Sequence, residues 1–269
     1  LEEAERLVRD GITELIVIAQ DTTRYGEDLY GERRLPLLLR RLAAMPGVEL
    51  IRLLYTYPDE ITDELIRTIA KEEKVANYLD IPLQHANDRV LAAMNRRGTQ
   101  AQLRRLLQNI RSTIPDIVLR TTMITGYPTE DEAAFEDLCR FVKEMEFDHL
   151  GCFTFSPEEG TPAGRMRNPN SPAVATERAN TLMEIQQAIN EQKNRQRIGK
   201  RFRVAVEGYD RLAGFYFGRS YLDAPEIDGK IFFSGEGEQP ALGDYLTVEI
   251  TDALDVDLIG RMVVYEPAE

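Results

Sequence analysis

The residues able to do chemistry in this chain fall in five short polar patches, each placed directly after an apolar run. Gln20-Asp21-Thr22-Thr23-Arg24-Tyr25-Gly26 follows the run 15–19, and Tyr55-Thr56-Tyr57-Pro58 follows 48–54. Gln84-His85 closes 78–83, Thr125-Gly126-Tyr127-Pro128 closes 117–124, and Ser156-Pro157 closes 149–155. Carboxamides, a carboxylate, a guanidinium and hydroxyls gathered at strand ends are the means to recognise a polar ligand. In an α/β barrel the active site sits at the C-terminal tips of the strands, each tip supplying a few groups. His85 is a candidate acid or base, weighed against a hydrogen-bonded strand-end histidine, which is the commoner case. Cys139 and Cys152 are too far apart for a zinc knuckle or redox pair and read as reduced core thiols.

The elements that must hold these patches alternate. The run 15–19 is rich in β-branched residues, as in a strand buried on both faces. Helical spacing recurs over 1–11, 35–45, 59–74, 87–94, 99–114 and 129–145, with strands at 48–54, 78–83, 117–124 and 149–155. Asn87 and Thr99 are expected caps, and Thr129 with Glu132 has capping-box spacing. Strands and helices alternating at βαβ spacing imply a parallel sheet. The chain opens on a helix and offers five such strands, which fits a six-stranded partial barrel, (β/α)6, whose first strand lies before Leu1. Residues 175–197 then read as a long polar connector helix. Beyond it the pattern turns to period two, at 202–206, 215–217, 231–233, 245–250 and 258–265. Five short strands with Gly-rich turns predict a small antiparallel β-barrel, OB-like, in which period two turns Phe215 and Phe217 to the core, the alternative being a stacking platform over Phe215-Tyr216-Phe217.

The 269 residues carry a net charge of −13, which argues against a general polyanion binder and suits a basic protein partner. From Ile198 to Glu269 there are 7 lysines and arginines against 14 aspartates and glutamates. No run approaches a membrane span and no secretory signal is visible, so a cytoplasmic protein is expected.

The strand ends resemble those of the radical SAM methylthiotransferases. The segment from Gln20 to Gly26, with Asp28-Leu29-Tyr30-Gly31 after it, is similar to the second-strand signature of that family. Tyr55-Thr56-Tyr57-Pro58, Asp80-Ile81-Pro82-Leu83-Gln84-His85 and the stretch from Arg120 to Glu130 match later strand ends. Phe153-Thr154-Phe155-Ser156-Pro157-Glu158-Glu159-Gly160-Thr161-Pro162-Ala163 matches the sixth, and the C-terminal part resembles a TRAM domain. The likeness implies a TIM-like radical SAM barrel over 1–172, a connector helix over 173–197 and a TRAM barrel over 198–269. Gln20-Asp21-Thr22-Thr23 points to the branch that adds a methylthio group to the β-carbon of an aspartate in ribosomal protein uS12. The MiaB-type tRNA methylthiotransferases carry an asparagine-containing version there, and tRNA is not the expected partner. A tRNA enzyme and a non-catalytic binding fragment are the alternatives.

The resemblance also implies cofactors: S-adenosylmethionine and two 4Fe-4S clusters. One cluster cleaves S-adenosylmethionine to a radical that takes hydrogen from the aspartate, while the auxiliary cluster delivers sulfur. The family's C-x-x-x-C-x-x-C motif does not occur in this sequence. It is expected upstream of Leu1, so the chain reads as part of a longer protein and as inactive alone. By resemblance, Gln20 accepts from the methionyl amine, Arg120 pairs with the carboxylate, and Gln84 reaches the ribose or carboxylate. Ile124, Gly126 and Tyr127 flank the adenine. Asp21, Thr22 and Tyr25 shape substrate entry.

Overall fold

The computed structural model describes residues 1–263 apart from Glu236 and Glu238; the last part of the expected strand 258–265 therefore lies outside the described residues. The chain divides into two compact units, 1–186 and 187–269, and the division falls within the long helix rather than at its ends.

In the first unit the elements run α1 (Glu2–Arg9), β1 (Glu14–Val17), α2 (Glu27–Tyr30), α3 (Leu35–Ala43), β2 (Leu50–Leu53), α4 (Asp63–Lys71), β3 (Tyr78–Asp80), α5 (Asp88–Ala93), α6 (Gln100–Thr113), β4 (Val118–Thr125), α7 (Glu132–Met145), β5 (His149–Thr154) and α8 (Pro172–Arg195). All strand pairings are parallel: β1 with β2, and β3-β4-β5 in a three-stranded sheet. The two sheets meet through an isolated parallel bridge between Ile51 and Val75, and Thr56 N–H donates to the Asp80 carbonyl at 2.9 Å. The five strands therefore form one arc with helices after each strand, the expected partial barrel.

Apolar helix faces cover one side of the arc. Leu35, Leu39, Ile66 and Ile69 are fully buried, as are Leu107, Ile110, Leu138 and Phe141. Alternation along β4 is clear: Thr121, Met123 and Thr125 are buried, while Arg120, Thr122 and Ile124 are only half-buried. The second set stands on the side opposite the buried one, and it is this side that matters for ligands.

Three sequence expectations change. The run 15–19 is not buried on both faces: only Leu15 is buried, and Ile16 and Ile18 are exposed, because β1 pairs on one side only, with β2. The helix expected from residue 59 starts instead at Asp63, capped by the Thr62 hydroxyl, after a 3₁₀ turn at Pro58–Glu60. The capping box at Thr129 and Glu132 does not form. Asp131 caps α7 by accepting from Ala134 N–H at 2.9 Å, and Glu132 turns to Arg178. Thr99 and Gln102 do form such a box at the start of α6.

In the second unit five strands close a barrel: β6 (Arg201–Asp210), β7 (Phe215–Arg219), β8 (Ile231–Ser234), β9 (Tyr245–Leu254) and β10 (Asp257–Met262), in the order β10-β8-β7-β6-β9. Four pairings are antiparallel, and the closing pair β8/β10 is parallel. Phe202, Val204, Val206, Ile231, Phe233, Val248, Ile250 and Leu258 fill it. The expected inward Phe215 and Phe217 are corrected. Tyr216 sits opposite the buried Phe233, so its neighbours Phe215 and Phe217 take the outer face. A bulge between Val206 and Gly208 leaves Gly208 under the Phe217 ring, where a Cβ would come within 2.3 Å of it.

Candidate active site

The mouth of the arc is built by the strand tips. At β1, Asp21 caps a 3₁₀ turn over Thr22–Arg24, accepting from the Thr23 amide at 3.0 Å and from its hydroxyl. Thr22 is buried. Its hydroxyl lies 2.8 Å from the Leu54 carbonyl and 3.0 Å from that of Tyr55, so it ties the tip of β1 to the tip of β2. Gln20 and Tyr25 are exposed beside it.

Two non-glycine residues at neighbouring tips adopt left-handed backbone, Tyr55 (φ 57°) and Gln84 (φ 69°). Such conformations cost of order 1–3 kcal/mol and persist where surroundings enforce them. Here the enforcement is visible. Tyr55 N–H donates to Asp80 Oδ2 at 3.1 Å, and Gln84 exchanges backbone hydrogen bonds with Thr122 and Ile124 at 2.8 Å each. Gln84 thereby prolongs the β3/β4 pairing past the end of β3.

The open side of the three-stranded sheet grades from charged to apolar towards the tips. Its first row is Asp80, Arg120 and His149, with Arg120 Nη1 2.9 Å from Asp80 Oδ1. Thr122 and Gly151 follow, then Ile124 and Phe153, the latter 64% exposed. A Cβ at Gly151 would lie 3.8 Å from Arg120 Nη2, so the glycine leaves room beside the guanidinium.

Gly126 and Tyr127 serve the opposite side. Gly126 has φ +74°, and a Cβ there would lie 2.3 Å from that of Ala175 on α8, so the close approach it permits is that of the helix. Tyr127 is buried with Val90 and Ala134, its ring edge-on to Phe155 at 5.0 Å and its hydroxyl donating to the Ala93 carbonyl at 2.8 Å. Burial pushes that phenol up from its ordinary pKa. The Tyr127 ring is thus packing. Behind it, buried Glu130 accepts from Gly126 N–H at 2.9 Å and from Arg178 at 2.8 Å, and it faces His85 Nε2 at 3.1 Å. Asn87 N–H donates to His85 Nδ1, which places the ring proton on Nε2, towards Glu130. His85 is the hydrogen-bonded strand-end histidine, with both nitrogens used.

A cavity of about 310 Å³ opens at the tips of β1 to β3. Gln20, Asp21 and Arg24 line it with Tyr57, Pro58, Asp59 and Glu60, and Arg96 and Arg97 close it from the segment after α5. The structure thus brings Gln20 and Asp21 together with Tyr57 and Arg96, and sets Arg120, Ile124 and Gln84 on the neighbouring sheet. The arginines were not singled out from sequence. Their signal was the pair Arg96-Arg97 between Asn95 and Gly98, just past a short helix.

The chain belongs to the radical SAM superfamily, which it matches over residues 1–142. Residues 198–263 match the TRAM domain. Among curated relatives, the ribosomal protein uS12 methylthiotransferase RimO of Acetivibrio thermocellus is 46% identical over 263 residues, covering 98% of this chain and 58% of the relative. The protein of the same name from Thermoanaerobacter sp. (strain X514) is 46% identical over 261 residues, covering 97% and 59%. The chain thus spans 58% and 59% of the length of these two relatives. In fold it is similar to coproporphyrinogen III oxidase (HemN) from Escherichia coli, a radical SAM enzyme, with TM-score 0.50 at 19% identity over 72% of this chain and 45% of that one. Methylornithine synthase (PylB) gives TM-score 0.50 at 14% identity over 71% and 53%.

The family's two cofactors fare differently against these residues. S-adenosylmethionine has a zwitterionic end and an adenine end, and the open sheet face offers a charged row followed by an apolar one. An iron–sulfur cluster does not fit the residues present. Cys139 on α7 and Cys152 on β5 are both partly buried, and burial raises both thiols, Cys152 to about 11. Among the described residues no group of three or more His, Cys, Asp or Glu can hold a metal ion. No helix among them is long and apolar enough to cross a membrane.

Proposed function

We propose that this chain supplies the S-adenosylmethionine-binding barrel and the TRAM barrel of a methylthiotransferase that modifies an aspartate of ribosomal protein uS12. The observation that carries the reading is 46% identity across 98% of the chain to an enzyme of that name, with Gln20 and Asp21 at the cavity mouth. Bound at the open sheet face, S-adenosylmethionine would supply the oxidising fragment and the methyl group. The chain's own residues bind and shield. Arg120, beside Gly151, takes the methionyl carboxylate, and Gln20 and Gln84 accept from the amine and the ribose. Ile124 covers the adenine from the open face of β4. Asp21 faces the incoming substrate and Thr22 holds its turn in place, whereas Tyr25 lines a separate hollow with Tyr30 and Arg34. A ribosomal protein as substrate implies the cytoplasm. The two 4Fe-4S clusters belong to this proposal for the whole enzyme, with ligands other than Cys139 and Cys152.

The acidic balance of residues 198–269 favours a basic protein over nucleic acid. One observation favours a tRNA substrate instead: Lys230 sits 4.7 Å over the outward Phe217 ring, beside Phe232, a cationic and aromatic surface of the kind on which bases stack. The two readings separate when the full-length enzyme is offered uS12 and, in parallel, unmodified tRNA under reducing conditions. Methylthiolated uS12 is expected; methylthiolated tRNA with uS12 unchanged would overturn the assignment.

A further inference from the structure

The cavity at the tips of β1 to β3 holds an arginine with one buried nitrogen, Arg96 Nη1, that finds no acceptor among the described residues. Three arginines line it. Arg24 pairs with Glu27 at 2.8 Å, and Arg97 lies 3.9 Å from Glu60, which also pairs with Arg33. Arg96 has no carboxylate partner among the described residues, and its Nη1 is buried with no hydrogen-bond acceptor. A buried charged donor without a partner is costly and calls for an explanation in a ligand, ion or water.

The local structure aims this side chain deliberately. Helix α5 ends with Asn95 in the left-handed region (φ 56°), and Arg96 N–H returns to the Leu91 carbonyl at 2.9 Å. That closing turn throws the Arg96 side chain across the strand tips, where its guanidinium lies 4.7 Å over the Tyr57 ring. The cation–π contact holds the guanidinium against the ring face and leaves Nη1 in want of an acceptor. A carboxylate is the acceptor that pairs best with a guanidinium.

The rim has the opposite sign. Asp21, Asp59 and Glu60 line the same cavity, and Asp59 is exposed. A free small anion would meet these carboxylates as well. An acidic side chain carried by a basic peptide would not suffer from them, because its flanking lysines and arginines would pair with the rim.

We propose that this cavity is the substrate subsite, in which Arg96, held over the Tyr57 ring, binds the side-chain carboxylate of the target residue while Asp21 and the exposed Asp59 select basic flanking residues. The assignment rests on the reading of the substrate as an aspartate of a basic ribosomal protein. It makes Arg96 a specificity-determining residue that separates aspartate from asparagine at the modified position.

The test is a binding measurement that needs no turnover. Two fluorescein-labelled peptides carry the uS12 sequence around the target, one with the aspartate and one with asparagine in its place. Each is titrated by anisotropy into the full-length enzyme, as wild type, Arg96→Gln and Arg96→Lys. The wild type is expected to prefer the aspartate peptide by roughly tenfold or more, the scale of a charge-assisted hydrogen bond. Arg96→Gln should bind both peptides equally, at the wild-type affinity for the asparagine peptide, and Arg96→Lys should regain part of the preference. Undiminished preference in Arg96→Gln overturns the assignment while leaving the uS12 reading intact. A wild type that binds neither peptide removes the uS12 reading, and the assignment with it. Loss of S-adenosylmethionine affinity in Arg96→Gln, with the peptide preference retained, would give the carboxylate to the cofactor instead and also overturns it.

Discussion

Asp80 and Arg120 face each other across β3 and β4, and one carboxylate serves both a side chain and a strained backbone. Oδ1 meets Arg120 Nη1 at 2.9 Å, while Oδ2 accepts the amide of left-handed Tyr55 at 3.1 Å. The Asp80 side chain is 2% exposed and that of Arg120 16%. The pair therefore links the charged floor of the open face to the geometry of the mouth above it.

Removing one partner of such a pair leaves a buried charge uncompensated, which costs about 3–5 kcal/mol. Arg120→Ala should lose stability of this order in urea denaturation. It should also weaken S-adenosylmethionine binding, measured by calorimetry, by about 1.5–3 kcal/mol. Arg120→Lys keeps the charge and discards the fork, so most of the stability should return while the cofactor affinity stays low. Unchanged affinity in both variants would make Arg120 a structural residue only.

Thr22 should behave as a clamp between strand tips. Thr22→Val preserves shape and removes the hydroxyl that lies within bonding distance of the Leu54 and Tyr55 carbonyls. A loss of about 1–2 kcal/mol is expected from the buried Leu54 carbonyl left without its donor, since the Tyr55 carbonyl keeps the Thr22 N–H at 3.1 Å, with Thr22→Ser close to wild type. A Thr22→Val chain as stable as wild type would contradict this.

Gly126→Ala carries two penalties: a left-handed backbone and a Cβ placed 2.3 Å from that of Ala175. Together they should cost at least about 2 kcal/mol, read as a fall in melting temperature. A second change, Ala175→Gly, removes the collision but not the backbone strain, so it should restore only part of the loss. Full restoration would show that the backbone contributes nothing.

Burial holds the Cys152 thiol near 11, so at pH 8 only about one part in a thousand is thiolate. Native Cys152 should resist iodoacetamide at pH 8 and react once the chain is unfolded, as followed by mass spectrometry. The folded state binds this proton more tightly than the unfolded one. Stability present below the ordinary thiol pKa, about 8.5, is therefore lost as pH rises towards about 11. For the same reason this chain, reconstituted with iron and sulfide, should hold no stoichiometric cluster after desalting. A retained absorbance near about 410 nm would show otherwise.

Periodicity was enough to read the alternating strands and helices, because burying one face of a parallel sheet or a helix imposes a repeat on the sequence itself. The five polar strand ends were legible for a related reason: apolar runs stop where the sheet stops. The Asn87 and Thr99 caps were legible as well, being set by residues within one turn. What sequence could not show was direction and partnership. Thr22 and Tyr127 have the composition of site residues, yet one side chain clamps two strands and the other packs in the core. Gly126 serves a helix nearly fifty residues away, and Asp131 outcompetes Thr129 as a cap. Arg96 gains its meaning only from Tyr57, Asp59 and Asp21, which the strands bring to one cavity from distant parts of the chain. Local patterns follow from hydrogen bonding and burial within a few residues, whereas the partner of a side chain is fixed only when the strands have taken their places side by side.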